Sequence, residues 1–146
     1  MFQRIVIATD GSDPSMHAAQ LAVELARTHR AALLVVYVVE PYPFLGLGDI
    51  SPDGFVAYTA AAKQVAEQAL AQVAALCQDG DKPVALQTRL LEGDTPAHAI
   101  VQCAQADGAD LVVLGTHGRN AIERLLLGSV AARVVAQATV PVLVTR

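Results

Sequence analysis

Short apolar runs recur along this chain with a helix-length stretch between each and the next, and that spacing restricts the fold more than any other feature. Strands so far apart in sequence are not joined by tight turns. They run parallel, with helical crossovers covering the sheet. The first run is Ile5-Val6-Ile7-Ala8, followed by Thr9-Asp10-Gly11. The second, Leu33 to Val39, is apolar throughout and so belongs at the centre, covered on both faces. The third, about Val84 to Leu90, carries Gln87, Thr88 and Arg89, as an edge strand would. The fourth is Asp110 to Leu114, closed by Gly115, and the fifth is Val140 to Thr145.

Between the runs, periodicity and end signals predict four helices. Asp13 is the expected N-cap of the first, with Pro14 at its first helical position, Met16, Ala19, Val23 and Ala26 on one face, and an end near His29. An Ala/Gln-rich helix is expected from Phe55 to Cys77. Thr95 and Pro96 open a short one with Ala97, Ile100, Val101 and Ala104 inward. After a loop and a single helical turn, Gly128-Ser129 opens the last, with Ala131, Val134, Val135 and Ala138 on its inner face. Pro41 to Gly54 holds three prolines and three glycines and reads as a long surface loop. With right-handed crossovers the prediction is an α/β fold, a Rossmann-like doubly wound sheet of five parallel strands in the order 3-2-1-4-5.

The 146 residues suit one domain, 1–146, since two would each have a marginal core. Hydrophobic residues make up 53% and charged residues 16%, a composition for a filled core and not for a disordered chain. No apolar run approaches a membrane span, and Met1 leads straight into strand residues with no signal-peptide pattern. Cys77 and Cys103 sit singly in helical patterns and read as buried hydrophobes in a reducing compartment, so the cytoplasm is the expected location. With net charge −4 and only Lys63 and Lys82 as lysines, the chain has no basic run to neutralise a duplex. Nucleic acid is excluded as a partner on that ground; a single small anion is not.

In doubly wound sheets ligands bind beyond the carboxyl ends of the strands, where the strand order reverses. That places attention on Thr9-Asp10-Gly11 and on Gly115-Thr116-His117-Gly118-Arg119, with Gly128-Ser129-Val130-Ala131 further on. Gly115 and Gly118 allow close backbone approach. The helix opened by Gly128-Ser129 presents unpaired amides to an anion, and Arg119 adds a charge-assisted contact. There is no Gly-Lys-Ser/Thr loop and no G-x-G-x-x-G after the first strand.

Gly115, two residues, Gly118, nine residues, then Gly128-Ser129 is similar to the G-x2-G-x9-G-[ST] nucleotide motif of the universal stress protein family. The resemblance extends over the whole chain, through Ile5-Val6-Ile7-Ala8-Thr9-Asp10-Gly11-Ser12, Val38-Val39-Glu40-Pro41, Glu92-Gly93-Asp94 and the closing Val140-Pro141-Val142-Leu143-Val144. It implies the family's ATP-binding subgroup and a fold of the adenine nucleotide alpha hydrolase type. By position, Ala8, Thr9 and Asp10 would lie near ribose and adenine, and Val38 would touch the base through its backbone. Leu114 and Gly115 would flank sugar and phosphates. His117, Gly118 and Arg119 would line the phosphate loop, with Gly128, Ser129, Val130 and Ala131 at the helix start. Some nucleotide-binding relatives have a hydroxyl residue where Ala131 stands, which puts the hold on the terminal phosphate in question.

Asp10 suits ribose hydroxyls or a water-mediated Mg²⁺, and equally a turn-capping role. His117 suits phosphate binding or proton transfer, or no specific task. His17, His29 and His98 read as solvent-facing, and Tyr37 as core. The apolar fifth strand, Val140 to Thr145, has Val140, Val142 and Val144 on one face and Leu143 on the other. It lies at an edge, and pairing with a copy of itself would protect it. The leading expectation is therefore a homodimeric, ATP-binding regulatory protein with little or no turnover, whose surface around Pro41–Gly54 and the phosphate loop is read by a protein partner. The alternatives are a slow ATPase or autophosphorylating enzyme using Asp10, His117 and Ser129 around a metal, and a stress-related dimer with a vestigial pocket.

Overall fold

The computed structural model describes residues 1–41, 51–93, 95–117 and 127–146. The strands are β1 (Arg4–Ala8), β2 (Ala32–Val39), β3 (Leu86–Glu92), β4 (Leu111–Gly115) and β5 (Val142–Thr145). The helices are α1 (Asp13–His29), α2 (Pro52–Gln78), α3 (Pro96–Ala106) and α4 (Ser129–Gln137). All strand pairs are parallel and the order is β3-β2-β1-β4-β5, as the spacing predicts.

The three inner strands are buried because helices cover both faces. On one face Ile5, Ile7, Leu33, Val35, Leu111 and Val113 pack against α1 and α2; on the other Val6, Leu34, Val36, Val112 and Leu114 pack against α3 and α4. Each such aliphatic side chain contributes about 1.5–3 kcal/mol by leaving water. α1 meets the sheet through Ala18, Ala19, Ala22 and Ala26, all fully or nearly fully buried, so methyl groups set its close approach. Arg27 near its end reaches across to α2, donating through Nη2 to the carbonyls of Leu76 (2.7 Å) and Asp79, and through Nε to that of Lys82 (3.2 Å). The carbonyls of Leu76 and Asp79 are orphans of the α2 end and need donors, and one guanidinium supplies both.

Several boundaries differ from the sequence expectation. The N-cap of α1 is Ser12, not Asp13: its hydroxyl accepts from Ser15 N–H, and Asp13 occupies the first turn, where its charge complements the helix dipole. α2 starts at Pro52 with Ser51 as cap, three residues ahead of Phe55. β3 begins at Leu86 instead of Val84, and its outward residues make it an edge. β5 begins at Val142 because Pro141 has no N–H to give the ladder, although its carbonyl accepts from Val112 N–H at 3.0 Å. On α4, Ala131 and Val134 are buried, while Val135 is 48% exposed and not part of the inner face. Leu143 packs on the α1 side, and Val140, Val142 and Val144 on the α3–α4 side, the alternation expected of them. Both cysteines are buried and unbonded to each other. His17 and His98 are exposed, whereas His29 packs edge-on against Phe2 with ring centroids 5.1 Å apart. Among the described residues no helix is long and apolar enough to cross a membrane. Most of the Pro41–Gly54 stretch and the single helical turn expected before Gly128 lie outside the described residues.

A cleft at the carboxyl ends of β1, β2 and β4

A cleft of about 610 Å³ opens where β1 and β4 part, at the reversal of strand order. Its floor begins at β1. Thr9 is buried, and its N–H makes the last rung to β2 by donating to Val36 O at 3.0 Å. Ser15 Oγ donates to Ser12 O (2.9 Å), so the Thr9 hydroxyl gives its proton to Ser15 Oγ (3.0 Å) and accepts from Gly11 N–H (3.1 Å). This side chain therefore shapes the turn, and Thr9 faces the cleft by its backbone. Gly11 has φ +78°, a conformation that favours glycine. Asp10 Oδ1 accepts from both the N–H (2.9 Å) and the hydroxyl of Ser12, so the turn-capping role is present, while the residue also lines the cleft.

β2 supplies a main-chain edge. Backbone groups alternate sides along a strand, so the N–H and C=O of Val38 point the same way as those of Val36, one step beyond the last rung at Thr9. Val39 O faces the other way and accepts from Gly93 N–H at 3.4 Å. Val38 thus offers one donor and one acceptor side by side at the cleft.

β4 and α4 build the opposite end. A Cβ at Gly115 would sit 3.0 Å from Pro14 O, so its absence lets the first turn of α1 close on the strand. Thr116 then ties three segments together: its N–H donates to Thr145 O (2.8 Å) and its carbonyl accepts from Gly128 N–H (2.7 Å). A Cβ at Gly128 would lie 2.6 Å from that carbonyl, closer than real side chains come, so only glycine allows α4 to start there. The first intrahelical bond runs from Ala132 N–H to Gly128 O (2.9 Å). The amides of Ser129, Val130 and Ala131 precede it and have no helical acceptor, which gives the start of α4 a partial positive charge. Beside it His117 Nδ1 lies 2.9 Å from Thr116 Oγ1, and its Nε2 is buried with no hydrogen-bond partner among the described residues.

The cleft therefore gathers Ala8, Thr9, Asp10, Val38, Leu114 and Gly115 with His117, Gly128, Ser129, Val130 and Ala131. Gly118 and Arg119 lie outside the described residues. Tyr37 corrects its expected core role: it is half-buried and lines the cleft, because β2 runs past the end of β1 and its last residues lose a neighbour on one side. The sequence reading missed the α2 wall of Tyr58, Ala61, Ala62 and Val65, and the contributions of Pro96 and Ile100 from α3. The α2 residues recur at i, i+3, i+4 and i+7, the same signal a core-facing stripe gives. Tyr58 Oη donates to Glu40 O at 3.3 Å, joining that wall to the end of β2. Among the described lining residues the carboxylate and imidazole side chains are those of Asp10, Glu40 and His117. No group of three metal-ligating side chains occurs among the described residues.

Away from the cleft, burial pushes the Cys77 thiol up, with nearby Arg27 partly offsetting it. Arg89 donates through Nη1 to Cys103 Sγ at 3.3 Å and pairs with Asp107 at 3.4 Å, contacts that hold its guanidinium protonated above the usual range.

A doubly wound α/β domain with a main-chain-lined cleft at its switch point is the class that this fold and site define. The family model for the universal stress protein family matches residues 1–146, and the chain belongs to that family. It is 39% identical to a universal stress protein of Methanocaldococcus jannaschii over 146 residues, covering all of this chain and 83% of the relative. A universal stress protein of Thermus aquaticus is also 39% identical over 147 residues, with both chains covered in full. Among solved structures, a universal stress protein crystallised in complex with cAMP superposes with a TM-score of 0.70 at 27% identity, covering 99% of this chain and 97% of that one.

Proposed function

We propose that the cleft binds an adenine nucleotide, with ATP as its expected ligand, and that the protein is a homodimeric regulatory protein of the cytoplasm with little or no turnover. The observation that carries this reading is the pairing of two main-chain features in one cleft. The donor and acceptor of Val38 match the edge of an adenine ring, and the unspent amides of Ser129, Val130 and Ala131 match a phosphate. The distance between β2 and α4 is filled by the ribose in this reading, near Asp10. A similar protein crystallised with cAMP supports the nucleotide class.

Asp10 is the carboxylate nearest to a role in holding Mg²⁺, through water and together with the nucleotide's own phosphates, as magnesium ordinarily binds. No group of three metal-ligating side chains occurs among the described residues, so in this reading the ion arrives with the nucleotide. The turnover alternative draws on His117 beside the α4 start, whose buried Nε2 has no partner among the described residues and could take a proton from an attacking water. The exposed edge of β5, apolar on both faces, supports pairing with a second copy.

The direct test is mass spectrometry of the small molecule released when purified protein is denatured, followed by calorimetric titration of ATP, ADP and cAMP. An adenine nucleotide bound at one site per chain is the expected result; no binding of any of the three would overturn the reading. ADP accumulating from ATP, at a rate abolished by Asp10→Ala, would move the assignment to the enzyme.

A further inference from the structure

The two halves of α2 are fastened very differently. No residue from Pro52 to Val65 is buried, whereas Ala66, Ala69, Val73 and Cys77 are. The second half is seated in the α1-side core, and its final carbonyls are held by Arg27. The first half stands beyond the sheet. Its inner face is the stripe of Tyr58, Ala61, Ala62 and Val65 along the cleft, with Phe55 one turn before Tyr58 on the same side, and its outer face exposes Val56 by 64%. Helical stability in proteins comes mostly from packing of one face, so this half of α2, with no buried residue, takes its order from whatever its inner face touches. Local opening is easiest where buried apolar contacts are fewest.

We propose that occupancy of the cleft sets the order of the first half of α2. A ligand seated against the Tyr58–Val65 stripe clamps it as helix; on release it frays from the Pro52 end, while the second half stays fixed. Binding is thereby converted into the order of an exposed surface that carries Val56. The inference rests on the nucleotide reading of the cleft and adds to it the element through which occupancy is felt.

Hydrogen exchange on the full chain tests this, with ATP or cAMP as the probe and saturation followed by calorimetry on the same sample. Without nucleotide, amides of residues 55–65 exchange at least about tenfold faster than those of 69–77, in proportion to their different burial. At a nucleotide concentration about 100 times the dissociation constant, protection of 55–65 rises by up to about 100-fold, the mass-action limit, and that of 69–77 stays level. Ala60→Gly supplies an independent arm, because Ala60 is exposed and does not line the cleft. Glycine there weakens the helix enough to lower nucleotide affinity about fivefold if ordering is coupled to binding. Unchanged affinity in Ala60→Gly, or saturation with no gain in 55–65, overturns the proposal while leaving the nucleotide reading intact. Absence of calorimetric binding overturns both.

Discussion

At Gly128 a hydrogen atom in place of a methyl decides where α4 begins. The Thr116 carbonyl occupies the space a Cβ would need, and it also accepts the Gly128 N–H. Gly128→Ala must therefore push the start of α4 away from β4, moving the unspent amides instead of filling the space they face. The rest of the helix is held by Ala131 and Val134 in the core, so the fold survives. Calorimetry is expected to show nucleotide affinity reduced at least about tenfold, or ~1.4 kcal/mol, with the circular dichroism spectrum unchanged. Wild-type affinity in this variant would remove the α4 amides from the site. Thr9 makes the complementary point. Its position at the end of β1 suggests a ligand contact, yet its hydroxyl is consumed by Ser15 and Gly11.

Among the elements, β5 carries the assembly prediction. Val142, Leu143 and Val144 are half-buried, and no strand among the described residues lies beside its outer edge. Sedimentation at micromolar concentration is expected to give twice the monomer mass, and Val144→Lys to shift it to monomer, since the stem of a lysine can lie on the surface while its charge resists strand addition. A wild-type monomer would sink the β5 interface. The strands were the most legible elements because a fully buried parallel strand is a continuous apolar run, as in Leu33 to Val36. The glycine spacing marked the α4 side of the cleft for a similar reason: backbone approach leaves a trace in sequence. The α2 wall left none, because alanines at helical spacing look alike whether they meet a core or a cleft. Helix starts shifted where a hydroxyl neighbour, Ser12 or Ser51, took the cap.

For the molecule as a whole, stability should fall in alkali with a contribution from Cys77. Burial raises its pKa in the folded state, so the folded chain holds that proton more tightly than the unfolded chain does. The stabilisation is complete below the unfolded thiol value of about 8.5 and is lost as pH rises towards the folded value. Urea midpoints measured from pH 7 to 10 should decline more steeply for the wild type than for Cys77→Ala, and alkylation of Cys77 should await unfolding. Equal slopes would show that the thiol does not contribute.

The two rims of the sheet are unlike each other. β3 presents Gln87, Thr88, Arg89 and Glu92 to solvent, and β5 presents valine and leucine. If the β5 margin pairs with a copy of itself, as proposed, a ribbon apolar at one margin and charged at the other cannot extend itself without end. Once two β5 margins meet about a twofold axis, the outermost strands of the joined sheet are both β3, and growth into a fibre has no free margin from which to continue.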